Sequence, residues 1–340
     1  EIRSLRRHLH QFPEPSGSEY RTTQYLAQRL ETFGFSITKG PDGRGLIVEN
    51  QAQKSAARVG LRADIDALKI QDQKQTQYCS QIAGTMHACG HDAHTAVVYG
   101  AILALHDLEQ SGAVTDIPWR AIFQPAEETN QGAIEMMKAG AVDGLEALFA
   151  AHMDPSRTVG TIGVRNHEFT ADCSELEIEV IGRGAHAARP HEACDPIAAV
   201  AQLISSIFLF VPRSTNSQEP VVVSFGQIIA GENPNVIPDR VIVRGTLRTL
   251  HQHVTDTTVL HLERLARGVA EASGTTIHVR QKHGPPAVHN NVSLNEMIKS
   301  AASDVISAAN ISTIPKPSMG GEDFANYLHR VDGAMFRLGC

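Results

Sequence analysis

The chain has 340 residues, enough for two domains or one large one, and its 42% apolar and 20% charged residues are an ordinary globular composition. The formal net charge is −7 and no long run of Lys or Arg occurs, which argues against a nucleic-acid partner and gives no support for a membrane surface. Five cysteines (Cys79, Cys89, Cys173, Cys194 and Cys340), odd in number and without the spacing of a disulfide framework, point to a reducing, cytoplasmic setting. No signal peptide and no apolar stretch of membrane-spanning length is expected. The longest apolar stretch, Ile197 to Val211, is interrupted by Gln202, Ser205 and Ser206 and reads as a buried amphipathic helix.

In chain order, Ile2, Leu5, Leu9 and Phe12 recur at helical spacing and Pro13 and Pro15 stop that helix. A second helix is expected from about Ser18 to Phe33, capped by Gly34. Leu46–Val48 and Val59–Ala63 read as strands, Thr95 to Leu108 as a helix, Arg120–Phe123 as a strand, Ala133–Ala139 as a helix ended by Gly140, and Ala147–Ala151 as a strand. Such alternation implies an α/β layer with a largely parallel sheet. The texture changes near Ala171. Strands at Leu176–Val180, Val221–Ile229, Val241–Leu247 and Thr276–Val279, with helices at Pro196–Val211 and Val254–Ala272, follow the strand-helix-strand-strand-helix-strand order of a ferredoxin-like unit. From Pro285 the pattern returns to α/β, with a helix at Leu294–Ala309, a Gly-Gly turn and a strand at Ala334–Leu338. The expected organisation is a larger domain of residues 1–170 and 284–340 with a smaller one, 171–283, inserted into it.

Among 17 histidines, the densest cluster with other ligand types is His87-Ala-Cys89-Gly-His91-Asp92-Ala-His94. Thiolate and imidazole suit zinc and its first-row neighbours, and Gly90 lets the chain turn so that Cys89 and His91 converge. A polar loop with chance histidines is the plainer reading of this cluster alone. Two further segments weigh against it. Glu127 and Glu128 follow the strand that ends at Gln124, and His152 closes the strand through Ala151. Open α/β sheets bind ligands beyond the carboxyl ends of their strands. Of two adjacent carboxylates, one can bind metal while the other faces substrate. Asp64 and Asp66 close another strand and either orient a metal ligand or cap a loop.

These segments, together with Arg7-His-Leu-His-Gln-Phe-Pro-Glu14, Gly184-Ala-His-Ala-Ala-Arg-Pro-His191, Asn235-Val-Ile-Pro-Asp239 and Gly320-Gly-Glu-Asp-Phe324, occur in the order found in a known family. The chain resembles the amidohydrolase branch of the two-metal aminoacylase and carboxypeptidase clan, which includes hippurate hydrolases, auxin-conjugate hydrolases and N-acetyl-diaminopimelate deacetylases. The resemblance implies a metallopeptidase-type catalytic α/β domain with an inserted ferredoxin-like lid that also makes a homodimer. It implies two divalent ions per subunit (Zn, Mn, Ni or Co), with Cys89, His91, Glu128 and His152 as ligands. It makes Glu127 the general base, His186 a catalytic contact to the substrate carbonyl, often in the other subunit, and Asn235, Arg248, Gly320 and Gly321 substrate-binding. His87, His94 and His191 are not expected to be ligands. A further His ligand in the family follows a strand like Ala334–Leu338, so a shortened sequence, with the second metal position incomplete in these residues, is expected. The implied reaction is hydrolysis of the amide bond of N-acyl amino acids or small peptide-like conjugates. The alternatives are an inactive relative that binds metal or an acyl-amino acid, and a dipeptidase or carboxypeptidase of the same clan.

Overall fold

A computed structural model describes residues 1–50, 58–114 and 117–340. The chain divides into two compact units, one of Glu1–Phe169, Val288–Pro317 and Glu322–Cys340, the other of Thr170–Ala287 and Ser318–Gly321. The expected limits of 171–283 for the insert are therefore corrected, since Thr170, Gly284–Ala287 and Ser318–Gly321 group with it. Hydrogen bonds account for this: Cys173 N–H donates to the Pro285 carbonyl at 3.1 Å, Ala171 N–H to the Gly320 carbonyl at 3.0 Å, and Arg248 Nη1 to the Met319 carbonyl at 2.8 Å. Such long-range ties leave no local trace in the sequence.

In the larger unit the described residues form an eight-stranded sheet in the order Ser36–Lys39, Leu46–Glu49, Trp119–Gln124, Arg58–Asp64, Leu145–Asp154, Gly333–Gly339, Ile162–Val164, Ile311–Thr313. The four central strands, Trp119–Gln124 through Gly333–Gly339, run parallel. Antiparallel joins flank them at Leu46–Glu49 and Ile162–Val164. The sheet is thus parallel at its centre and mixed at its flanks, where Ser36–Lys39, Ile162–Val164 and Ile311–Thr313 are too short or too polar to show as apolar runs. Both faces of the centre are covered, which is why every residue of Trp119–Gln124 is buried. Alternate residues go to opposite cores. Trp119, Ala121 and Phe123 pack with Leu5 and Leu9 of helix Ile2–Gln11, Leu26 and Leu30 of helix Tyr20–Glu31, and Tyr99 and Ile102 of helix His91–Gln110. Ile122, Leu148 and Met335 pack with Met136 of helix Gly132–Lys138 and with Phe324 and Tyr327 of helix Phe324–Tyr327.

Among the described residues, the smaller unit has a four-stranded antiparallel sheet in the order Val221–Ala230, Arg240–Thr249, Asp172–Ile181, Thr276–His283, and a two-stranded pair of Ala185–His186 and Val236–Ile237. Helices Pro196–Ser214 and Gln252–Ser273 join the strands in the ferredoxin-like sequence, and Ala199, Leu203, Ile207, Leu262 and Ala266 pack on Leu176, Ile178, Val180, Val241 and Val243. The opposite sheet face is ionic: Glu177 and Glu179 pair with Arg244, Arg280 and Arg240. Helix Pro196–Ser214 starts where Asp195 accepts from the Ile197 and Ala198 N–H groups. Contrary to expectation this 19-residue helix, with a mean hydropathy of 1.6 over its most apolar 18-residue window, is long and apolar enough to cross a membrane. Three small or amide side chains without a charge do not lower hydropathy much. Its Ala199, Leu203 and Ile207 face nevertheless packs on the sheet.

Candidate active site

Three neighbouring parallel strands deliver the candidate residues. Asp64 ends Arg58–Asp64, Glu127 and Glu128 follow Trp119–Gln124, and His152 lies near the end of Leu145–Asp154. The Cys89 loop enters from the start of helix His91–Gln110. That helix begins four residues earlier than its apolar periodicity indicates, because its first turn carries the buried polar residues His91, Asp92 and His94. Gly90 has φ +91°, a left-handed turn that aims both flanking side chains, and a Cβ there would stand 3.2 Å from Met153.

Donor atoms of Cys89, His91 and Glu128 lie within 4.8 Å of one another. His152 Nε2 is 3.6 Å from Cys89 Sγ. The second nitrogen of each ring is held elsewhere. His91 Nδ1 is 2.9 Å from the Asp66 carbonyl and 3.1 Å from Asp66 Oδ1, and His152 Nδ1 is 2.7 Å from the Met153 carbonyl. Each Nδ1 therefore donates to its oxygen, which leaves each Nε2 as the nitrogen that can bind a metal once it carries no proton. His91 Nε2 and Glu128 Oε1 are buried, lack a hydrogen-bond partner, and stand 3.7 Å apart. Leaving such atoms unpaired costs about 1–3 kcal/mol each, so this donor set fits a soft-to-borderline divalent cation.

His94 is excluded as a ligand by its own bonds. Met153 N–H donates to its Nε2 at 2.9 Å and its Nδ1 lies 2.7 Å from Asp64 Oδ1. Both nitrogens are used, and the ring ties the strand end beside His152 to Asp64. His87 is buried near His10, and burial pushes its pKa down to about 4. His191 lies in an exposed turn.

Glu127 Oε2 and Glu128 Oε1 lie 3.8 and 3.7 Å from His91 Nε2, but the other neighbours of the two residues differ. Oxygens of Glu127, Glu322 and Asp323 lie within 4.8 Å of one another, all three residues buried. Burial first, then the neighbouring Glu322 and Asp323 charges, raise the Glu127 carboxyl well above its ordinary range. Asp323 is pushed up to about 7, by burial and Glu322 against the pull of Arg62. Arg62, 1% exposed, pairs with Asp64 at 2.8 Å, Glu322 at 3.1 Å and Asp323 at 2.9 Å. One guanidinium among so many carboxylates leaves the region short of positive charge, which is an electrostatic demand for further cations. Glu322 and Asp323 stand in the Gly320–Phe324 motif without a role there, and Arg62 lies within the apolar run Val59–Ala63. Their one sequence signal is ionic residues set beside apolar runs.

In the smaller unit, His186 and Val236 are register partners, and Ala187 N–H donates to the Asn235 carbonyl at 2.9 Å, so His186 and Asn235 are neighbours. Arg248 lies beside the Ser318–Gly321 turn through Met319, and a Cβ on Gly321 would stand 3.1 Å from Cys173 Sγ.

The pattern of Peptidase family M20/M25/M40 matches residues 60–340. The chain belongs to this family. It is 37% identical to "Probable hydrolase sll0100" of Synechocystis sp. over 98% of this chain and 85% of that protein. It is 35% identical to the N-acetyl-L-cysteine deacetylase of Bacillus subtilis, over 98% and 79%. The crystal structure of Bacillus subtilis YXEP protein, described as a dinuclear metal binding peptidase from the M20 family, superposes with a TM-score of 0.84 at 34% identity, covering 99% of this chain and 88% of that one. The class implied by the motifs, a metal-dependent hydrolase of amide bonds, is the class to which the chain belongs.

Proposed function

We propose that this protein releases free amino acids from N-acyl amino acids or small peptide-like conjugates, with Cys89, His91, Glu128 and His152 as metal donors and Glu127 as the proton carrier. The observation that supports it best is the pair of buried atoms His91 Nε2 and Glu128 Oε1, 3.7 Å apart and without a hydrogen-bond partner, with the buried Glu127 carboxylate 3.8 Å from that same nitrogen. Two divalent ions at such a site supply Lewis-acid polarisation and make water acidic enough to react at neutral pH. The chain's own residues do the rest. Glu127 accepts the proton of the attacking water on a carboxylate oxygen and returns it to the leaving nitrogen. Asp66 and the Met153 carbonyl hold the two imidazole rings in the donor tautomer. His186 contacts the substrate carbonyl and steadies its developing negative charge, while Asn235, Arg248, Gly320 and Gly321 hold the rest of the substrate. The softness of Cys89 favours Zn, Co or Ni over harder ions, with Mn as the alternative set by supply. Five free cysteines fit a reducing, cytoplasmic setting.

The test is a panel of N-acetyl amino acids, longer N-acyl amino acids and dipeptides, offered to the full-length apo protein with Zn, Mn, Ni or Co added singly. Metal-restored release of the amino acid from the acyl substrates is expected. Tight metal binding with no turnover of any substrate would instead establish an inactive binding relative, and turnover of dipeptides alone would establish a dipeptidase.

The smaller unit is proposed to make a homodimer. Strand Val221–Ala230 is an edge of its sheet and exposes Ile228 and Ile229, and helix Pro196–Ser214 exposes Phe208, Leu209 and Phe210. Phe208 lies 5.9 Å from the strand's Phe225, so the two apolar rows are continuous, the kind of patch and open edge that association covers. If His186 acts in the other subunit, mixing inactive His186→Ala protein with inactive Glu127→Gln protein restores part of the activity after subunit exchange. A mixed population shown to contain heterodimers yet lacking activity would overturn action in trans.

A further inference from the structure

Glu127 and Glu128 are consecutive and each brings one oxygen to within 4 Å of His91 Nε2, yet Glu127 otherwise lies among Glu322 and Asp323 while Glu128 lies beside Cys89. The divergence is made at Ala126, a buried alanine with φ +52°, in the left-handed region that disfavours any residue with a Cβ. A conformation of that kind persists only where the surroundings hold it. Two anchors do so here. Glu19, fully buried, accepts the Ala126 N–H on Oε1 at 2.9 Å, and the same oxygen accepts the Gly17 N–H at 2.9 Å. Its other oxygen lies 3.3 Å from Arg44 Nη1, and Arg44 is fixed in turn by Glu135 at 3.0 Å. At the far end of the turn, Glu128 N–H donates to Asp66 Oδ2 at 3.1 Å, and Ser16 Oγ donates to that same oxygen at 2.6 Å. Glu19 and Ser16 come from the short stretch between helices Ile2–Gln11 and Tyr20–Glu31, and Asp66 follows strand Arg58–Asp64. On the inner side the Ala126 carbonyl accepts from Gly132 N–H at 3.1 Å. A Cβ on Gly132 would stand 1.6 Å from the Pro125 carbonyl oxygen, so the loop closes tightly on itself.

We propose that Glu19 is a positioning residue for the Glu127–Glu128 pair, clamping the left-handed Ala126 turn, with Ser16 bracing the other end through Asp66. The role of Glu19 runs through the backbone of the turn, by the Ala126 N–H it accepts. This rests on the reading of Glu127 as proton carrier and Glu128 as metal donor.

The test compares Glu19→Ala, Glu19→Gln, Ala126→Gly and the Glu19→Ala/Ala126→Gly double variant, reading kcat, KM, melting temperature and the Zn affinity of the apo protein by chelator competition. Glu19→Ala is expected to lower kcat about 100-fold, the loss that a misplacement of about 1 Å produces, and to weaken Zn by about 10–100-fold, as removal of a supporting group does. KM is expected to stay within about threefold, since the lost interaction belongs to the chemical step. Glu19→Gln keeps an oxygen for the Ala126 N–H and should retain most activity. Ala126→Gly removes the Cβ that makes the turn unfavourable, so it should recover at least about tenfold of kcat in the Glu19→Ala background. Wild-type kcat and Zn affinity in a folded Glu19→Ala protein, or a Glu19→Gln protein as impaired as the alanine variant, overturns the proposal. So does failure of Ala126→Gly to rescue. If Glu19→Ala does not fold, Ser16→Ala is read instead, with weakened Zn affinity expected and unchanged affinity overturning the brace. Glu127→Gln separates the two readings: full activity there defeats the assignment of the base, whereas an inactive Glu127→Gln beside a fully active Glu19→Ala defeats the clamp alone.

Discussion

Replacing Glu127 by Gln is expected to lower kcat by about 100- to 10,000-fold, the usual contribution of a positioned acid–base group, while the protein keeps its fold and its metal. Gln preserves the shape of the side chain and removes its ability to take a proton. The fold should tolerate it well. Glu127 lies within reach of Glu322 and Asp323, and burial together with those charges already disfavours its ionised form. Gln matches the neutral form that these surroundings favour, so the melting temperature is expected to hold or rise in metal-free protein. Metal content at saturation should also hold, because the paired donor atoms belong to Cys89, His91 and Glu128. The informative measurement is therefore a triple one: turnover, metal stoichiometry and thermal melt on the same preparation. A variant that turns over at the wild-type rate would remove Glu127 from the chemistry, and a variant that loses both turnover and metal would make it a donor instead.

What could be read from the sequence follows the range of the interactions involved. The metal-type side chains were legible because each stands at the end of an apolar run, and because the run and the donor are neighbours in the chain: Phe123 and Glu128, Ala151 and His152. The strand-helix-strand-strand-helix-strand unit was legible because its alternation of Leu176, Ile178 and Val180 and the period of its helices are local patterns. The Arg62–Asp323 pair was not, because its partners are 261 residues apart and nothing near either one marks the other. The start of helix His91–Gln110 was hidden for a related reason. Its first turn buries polar groups, and a pattern that equates burial with apolarity starts the helix at Thr95. That two adjacent carboxylates have different surroundings follows from general grounds, but the turn between them, a left-handed alanine whose N–H Glu19 accepts, is visible only in three dimensions.

Metal binding to the apo protein is expected to release protons and to tighten as pH rises, and Cys89→Ser is expected to weaken it. The sign follows from the donors. A thiol, an imidazolium and a carboxylic acid must each lose a proton before they bind a cation. Burial raises the Cys89 thiol above its ordinary range, and burial likewise raises the Glu128 carboxyl. Burial opposes a charge on His91, but Asp64 and Asp66 outweigh it and raise its pKa well above 6.5. His152 differs: burial and the nearby His94 and Arg337 lower it to about 3, so it is already a free donor at neutral pH. Protons thus leave from Cys89 and His91, both of which hold them at or above neutrality in the empty site. Calorimetric Zn titrations in buffers of different ionisation enthalpy measure the number released. Serine holds its proton far more tightly than cysteine, so Cys89→Ser should bind Zn at least tenfold more weakly, with about one proton fewer released and a shallower dependence on pH. Asp66→Ala should weaken binding about 10–100-fold by freeing the His91 ring to adopt the wrong tautomer. Unchanged Zn affinity in Cys89→Ser would remove that residue from the donor set. An affinity independent of pH would show that the donors lose their protons before the cation arrives, against the burial that surrounds them.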